Sequence, residues 1–289
     1  MNKVKVFLEM IKFEHTIFAL PFAFMGALLG SVVVRNELPE WAEIGWIFLA
    51  MVGARSAAMG LNRLIDRAID AKNPRTAGRA IPAGLLSSKE VLLFIAASFA
   101  LLFYAAARLN PLCVKLLPIA VAMLVLYSYT KRFTWTCHLF LGFTQALAVL
   151  GGWVAVTASF DRIGLVLYVT VAFWTAGFDI IYACQDVDFD RREGLYSIPS
   201  RFGIARALWI ARLFHVVTAG GLIVLFFMAE LGWWYLIGIL ISYVILFYEH
   251  YIVKPHDLSR LNTAFFTMNG VLSIVVFAFT CLDLVVLRP

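Results

Sequence analysis

Residues 42–70 read AEIGWIFLAMVGARSAAMGLNRLIDRAID. Up to Asn62 the stretch is predominantly apolar and has the length, roughly 20 residues, that a helix needs to cross a hydrocarbon core of about 30 Å. It then runs out into Asn62-Arg63-Leu64-Ile65-Asp66-Arg67-Ala68-Ile69-Asp70 and a basic loop. Apolar blocks of this kind recur along the chain. With 62% hydrophobic residues, 15% charged residues and a mean hydropathy of +0.87, the 289-residue chain departs from soluble proteins. Those run nearer one quarter charged and under half apolar. The class is an all-α polytopic membrane protein, with residues 1–289 as a single transmembrane domain. A β-barrel is excluded because the blocks are continuously apolar and do not alternate.

An amphipathic lead-in over residues 1–15 precedes about nine expected spans. They fall at 16–34, 42–62, 90–108, 111–129, 139–158, 163–183, 207–228, 232–252 and 264–287. The first block is followed by many more, so it reads as a retained span and not a cleaved leader. Lys and Arg in alternate connections set the orientation. One side holds 18, among them Lys3, Lys12, Arg63, Arg75, Arg79, Lys131, Arg191 and Lys254. The other holds 5: Arg35, Arg108, Lys115, Arg162 and Arg288. The amino terminus is therefore expected in the cytoplasm and the carboxyl terminus outside. The expected location is the cell's inner, cytoplasmic membrane. No soluble basic domain is present to bind nucleic acid, and no obligatory protein partner is evident. The four cysteines are scattered singly, without metal-binding spacing, and read as small core residues.

Asn62, Asp66 and Asp70 stand four residues apart, so on a continuous helix they line one face. Asp179, Asp186 and Asp190, at offsets of seven and four, form a second such face. Carboxylates at the end of an apolar run are costly unless they have a task. Their oxygens are hard ligands suited to Mg²⁺, and a set this dense repels itself unless cations neutralise it. The two faces are expected to meet across a cavity and hold divalent cations against a diphosphate. A solvated helix end, with Asp66 and Asp70 paired to nearby basic residues, is the plainer alternative for the first set. Asp188 falls off the shared face and reads as a surface charge.

The loop after the first acidic set carries Lys72, Arg75 and Arg79, and Arg recognises phosphate oxygens bidentately. The same charges also satisfy the topology rule with no ligand at all. Tyr127 and Lys131, four apart, place a phenol and a cation on one face, suited either to a leaving diphosphate or to interfacial anchoring. Arg55 lies well inside the second span, on the face of Asn62 and Asp66. A buried Arg requires an anionic partner: either Asp179 or the carboxylate of a substrate.

These residues carry a resemblance. The chain resembles the UbiA-type family of intramembrane aromatic prenyltransferases over nearly its whole length. Asn62, Asp66 and Asp70 match its first motif, followed by Arg79-Ala80-Ile81-Pro82-Ala83-Gly84. Asp179, Tyr182, Asp186 and Asp190 match its second; Tyr127 and Lys131 match its tyrosine–lysine motif, and Arg55 its intramembrane Arg. The resemblance implies nine helices around a central cavity, with a lateral opening for lipid-like substrates. It implies two Mg²⁺ held by Asn62, Asp66, Asp70, Asp179, Asp186 and Asp190 against a prenyl diphosphate. Two positions depart from the common pattern: Arg63 follows the motif Asn where many members have Asp, and Lys12 stands where many carry Arg. The Arg63 variant is similar to the 4-hydroxybenzoate polyprenyltransferase-like branch, some of whose members serve the futalosine route to menaquinone.

The implied reaction is electrophilic aromatic substitution within ubiquinone or menaquinone biosynthesis. Mg²⁺, Lys131 and Tyr127, with Arg75, Arg79, Arg63 and Lys12 as substrate-binding cations, neutralise the diphosphate so that the allylic C–O bond ionises. The acceptor is an aromatic carboxylate, 4-hydroxybenzoate or 1,4-dihydroxy-6-naphthoate, oriented by Arg55. Asp66 and Asp179 count among the catalytic residues, and the ring proton passes to Asp179 or a carboxylate near it. The alternatives are a secondary transporter using intramembrane acids, and prenylation of haem or chlorophyll.

Overall fold

The computed structural model describes residues 3–12 and 16–286, without the side chains of 16–19. Arg288, the last residues of the lead-in and the end of the span expected at 264–287 lie outside that description. Among the described residues thirteen α-helices follow one another: α1 Lys3–Met10, α2 Thr16–Gly30, α3 Trp41–Ile65, α4 Arg67–Lys72, α5 Ser88–Leu109, α6 Pro111–Thr130, α7 Cys137–Thr157, α8 Arg162–Ala183, α9 Val187–Arg192, α10 Ile198–Phe202, α11 Ile204–Met228, α12 Trp233–Ile252 and α13 Asn269–Cys281. Among the described residues eight helical segments are long and apolar enough to cross a membrane, namely α3, α5, α6, α7, α8 with its extension, α11, α12 and α13 with its π-helical flanks. A shorter apolar stretch, Leu20–Arg35, ends α2 and continues through the π-helical Ser31–Arg35.

Local signals start and stop these helices where the sequence supplies them. Ser87 and Glu90 form a reciprocal capping box at the start of α5. Pro111 opens α6, where its missing N–H is not needed, and Asn110 caps the Cys113 N–H at 3.0 Å. Asp161 accepts from both Ile163 N and Gly164 N to begin α8. Consecutive long helices pack on one another, α3 on α5, α7 on α8 and α8 on α11, while α13 returns to α2 and completes a ring. Inside it, α2 packs against α7 at very close range. A Cβ on Gly152 would lie 2.0 Å from the Ala23 carbonyl oxygen, and one on Gly26 would lie 2.1 Å from that of Val149. Small residues permit such backbone approach where no hydrophobic drive separates helix from lipid.

Two expectations need correction here. The first three oxygens do not share one uninterrupted helix: α3 ends at Ile65, Asp66 sits at φ −88° and ψ 1°, and α4 starts anew at Arg67. The second set is likewise divided, because α8 ends at Ala183 and tightens into a 3-10 turn over Cys184–Asp186 before α9. At each place the carboxylate at the break is bonded by side chains from other elements, and those contacts outweigh uniform helical continuation. Asp188 is exposed, as expected.

Candidate active site

The ends of α3, α6 and α8 converge, but of the six expected ligands only Asn62 and Asp179 line the cavity between them, while Asp66, Asp70 and Asp186 are taken up by basic side chains and Asp190 by Ser197. Asp66, at the end of α3, has a side chain only 1% exposed. It accepts from Lys131 Nζ at 2.6 Å, Arg132 Nη2 at 3.2 Å and Asn62 Nδ2 at 2.9 Å. Arg132 also donates to the Ile65 carbonyl at 2.8 Å, placing a cation at the negative end of α3. Asn62 accepts from Arg63 Nη1 at 3.0 Å and lies 3.4 Å from Ser128 Oγ. Asp70 is buried, and both its oxygens accept from Arg79 Nη1, at 2.7 and 2.8 Å.

The second acidic set is tied to the first by the basic loop. Arg75 forks onto Asp186 through Nε at 3.0 Å and Nη2 at 2.6 Å, and Asn73 Nδ2 adds a third bond at 3.2 Å. Burial opposes the Arg75 charge, but the Asp186 bond outweighs it and holds the guanidinium above its ordinary range. Arg75 also stands 5.6 Å over the Tyr182 ring. Lys72, the last residue of α4, pairs with Glu193, just past the end of α9, at 2.6 Å. Asp190 accepts from Ser197 Oγ at 2.9 Å. The basic loop thus supplies cations to Asp70 and Asp186, and the end of α6 supplies those on Asp66.

Asp179 is held by a residue the sequence reading did not single out. Its Oδ2 lies 2.6 Å from His138 Nδ1, and the Ile198 N–H donates to His138 Nε2 at 3.3 Å. Because Nε2 accepts, the hydrogen lies on Nδ1 and is donated to Asp179. His138 is 3% exposed and comes from α7, far from Asp179 in sequence, so no spacing could have revealed it. Asn73, Arg132 and Ser197 are further contributors whose partners only the fold brings near.

Arg55 does not pair with Asp179, the first of its two expected partners. Among the described residues it forms no ion pair, Asp179 being engaged by His138, and its Nε is a buried donor with no partner. Its side chain lines two adjoining cavities. The first, of about 760 Å³, also presents Asn62, Arg63, Arg75, Arg79, Lys12 and Asp179. The second, of about 480 Å³, is walled mainly by apolar side chains such as Met51, Leu102, Leu117 and Leu124. Arg55, Tyr127 and Gln145 are among the residues that line both, so the polar and apolar chambers share a wall there. The Tyr127 hydroxyl is 3.5 Å from the Ala58 carbonyl oxygen, a weak restraint.

The donor set consists of carboxylate and amide oxygens, the chemistry Mg²⁺ prefers. Among the described residues no three His, Cys, Asp or Glu converge as a ready-made metal cage. Mg²⁺ commonly takes one or two protein carboxylates and completes its shell with phosphate oxygens and water. The residues therefore fit such an ion carried in with a phosphorylated ligand.

The model of the UbiA prenyltransferase family matches residues 19–271. A 4-hydroxybenzoate octaprenyltransferase of Vibrio atlanticus is 29% identical over 270 residues, covering 93% of this chain and 94% of its own. The apo structure of a UbiA homolog from Aeropyrum pernix superposes with a TM-score of 0.83 at 32% identity, over 92% of this chain and 96% of the other. A UbiA homolog from Archaeoglobus fulgidus bound to GPP and Mg²⁺ shares the fold, with a TM-score of 0.74 at 20% identity, over 95% of this chain and 98% of the other.

Proposed function

The chain belongs to the UbiA prenyltransferase family and is a multi-pass membrane prenyltransferase, and from that premise we propose a reaction, an acceptor class and a role for each site residue. The reaction is Mg²⁺-dependent transfer of a polyprenyl group from prenyl diphosphate to an aromatic carboxylate, 4-hydroxybenzoate or 1,4-dihydroxy-6-naphthoate. The observation that carries it is the meeting of a phosphate-suited chamber and an apolar chamber at Arg55 and Tyr127. A substrate with a diphosphate head, an isoprenoid tail and a carboxylate-bearing co-substrate is what such a junction accommodates. The transporter alternative falls with the family.

Asn62, Asp66, Asp70, Asp179, Asp186 and Asp190 are the residues that would hold the metal, as two ions. A bound divalent cation supplies neutralising charge to the departing diphosphate. Arg75, Arg79 and Lys131 now neutralise Asp186, Asp70 and Asp66. When those acids turn to metal, the same three cations become free to bind phosphate oxygens, so the exchange keeps the site close to charge balance. Lys131 and Tyr127 then stabilise charge on the leaving group, an effect worth most in a dry site. Lys12 and Arg63, at the rim of the polar chamber, add positive potential there. Arg55, with its unpartnered Nε, orients the acceptor carboxylate toward the junction. Asp179, on the chamber wall and anchored by His138, takes the ring proton when aromaticity returns.

The chain is proposed to sit in the cytoplasmic membrane as one transmembrane domain over residues 1–289. The amino terminus and the mouth of the site face the cytoplasm and the carboxyl terminus lies outside, as the distribution of Lys and Arg favours. The test is an assay of purified protein with radiolabelled prenyl diphosphate, each of the two carboxylate acceptors, and Mg²⁺ or EDTA. Prenylation of one acceptor is expected with Mg²⁺, and none with EDTA or in Asp66→Asn and Asp186→Ala. Unchanged turnover in either variant sinks the metal-clamp assignment; turnover of neither acceptor sinks the acceptor class.

A further inference from the structure

Away from the acids, α11 and α12 enclose a groove of about 490 Å³ lined by Arg212, His215, Val216, Ala219, Tyr243, Leu246, Phe247, His250, Tyr251 and Lys254. Its composition is graded along the helices. Arg212, His250, Tyr251 and Lys254 lie toward the end of the bundle where α9 and α10 connect into α11. Val216, Ala219, Leu246 and Phe247 lie deeper along the span. Val216 is 66% exposed and Phe247 75%, so the deep end opens outward, where this protein meets hydrocarbon.

The two cations at the shallow end stand apart from those of the catalytic region. Arg75, Arg79 and Lys131 each have a carboxylate partner. Among the described residues neither Arg212 nor Lys254 forms an ion pair within 4 Å, although exposed Asp257, three residues on, lies near enough to Lys254 for their charges to attract. Each lies instead against an aromatic ring, Arg212 at 4.9 Å over Trp209 and Lys254 at 5.7 Å over Tyr251. The wall behind them is hydrogen-bonded, and buried Glu249 stands behind it with Oε2 3.7 Å from His215 Nδ1. His215 Nε2 lies 3.3 Å from the Trp174 carbonyl oxygen, which can only accept. His215 Nδ1 therefore accepts from His250 Nε2–H at 2.9 Å, and this fixes the His250 ring. Tyr243 ties the helices together deeper down by donating to the Ala219 carbonyl at 2.5 Å.

We propose that this groove binds one anionic phospholipid, its phosphate between Arg212 and Lys254 and an acyl chain along Val216, Ala219 and Phe247. Two unpaired cations at interfacial depth attract an anionic headgroup, and long basic side chains reach that depth from within a span. The polar-to-apolar grading matches an amphiphile better than a free anion, which has no use for the deep end, or a protein helix, which has no use for two unpaired cations.

The experiment is native mass spectrometry of the full-length protein from micelles doped with equal phosphatidylglycerol and phosphatidylcholine. Wild type should retain one phosphatidylglycerol preferentially. Arg212→Gln/Lys254→Gln should retain it about tenfold less, with phosphatidylcholine adducts unchanged. Arg206→Gln, an exposed cation on α11 outside the groove, should behave as wild type. If the double variant does not fold, exposed Lys254→Gln alone should still lower retention severalfold. Equal retention in the variants overturns the site, and so does an equal loss in Arg206→Gln, which would mark diffuse surface charge. A thermal stabilisation by inorganic phosphate as large as that by phosphatidylglycerol would assign the cations to a free anion. A dimer that persists with lipid excluded would assign the groove to a second copy of the chain.

Discussion

At the scale of single residues, Arg55 and His138 offer a test that separates binding from chemistry. Arg55 keeps a buried Nε without a partner, a condition that costs about 1–3 kcal/mol and persists when something else rewards it. If the reward is an acceptor carboxylate, Arg55→Gln should raise KM for the acceptor at least tenfold while leaving KM for prenyl diphosphate near wild type. An acceptor analogue bearing an amide in place of the carboxylate should lose this dependence. A uniform fall in kcat, with both KM values intact, would instead assign Arg55 to the chemical step. His138 acts through Asp179, which it holds at 2.6 Å. His138→Leu should lower kcat roughly 10- to 100-fold, the usual cost of removing the group that orients a functional ligand. His138→Asn, which can still donate, should recover part of it. Arg55 was legible in the sequence because an Arg inside an apolar run is conspicuous. His138 was not, because its partner is supplied by another helix.

At the scale of elements, helix periodicity located the acids but did not describe how they are presented. The four-residue spacing of Asn62, Asp66 and Asp70 survives as backbone bonds from Asp66 N to Asn62 O and from Asp70 N to Asp66 O, at 2.9 and 2.8 Å. The break at Asp66 is a tertiary effect, since Lys131 and Arg132 from the end of α6 engage that carboxylate. Packing of α2 on α7 rests on glycines that periodicity cannot evaluate. Gly152→Val would drive its side chain into the Ala23 carbonyl, 2.0 Å from the new Cβ. It should destabilise the protein by at least about 1–3 kcal/mol, the usual cost of overpacking, seen as a lower Tm in detergent. Gly151→Ala, one residue away with nothing near its Cβ, should leave Tm within a degree or two of wild type.

At the scale of the whole molecule, the proposed function gives the diphosphate head to one chamber and the prenyl tail to the other, the two sharing wall residues at Arg55 and Tyr127. Filling the apolar chamber should then alter chain-length preference without touching the diphosphate site. Ala120→Trp, on the wall of the 480 Å³ chamber alone, should favour short prenyl diphosphates over long ones by kcat/KM while Mg²⁺ dependence is unchanged. Equal loss for every chain length would mean that the tail lies elsewhere. By itself the sequence determined the membrane class, the approximate spans, the two acidic motifs and the conspicuous Arg55. Each follows from local chemistry: apolar length against bilayer thickness, or a charge where charge is costly. Only the tertiary structure decided which cation neutralises which acid, that His138 stands behind Asp179, that Asp179 is not the partner of Arg55, and that the polar and apolar chambers join. Those are contacts between side chains far apart in sequence, and their energies depend on distance and burial that no spacing along one chain encodes.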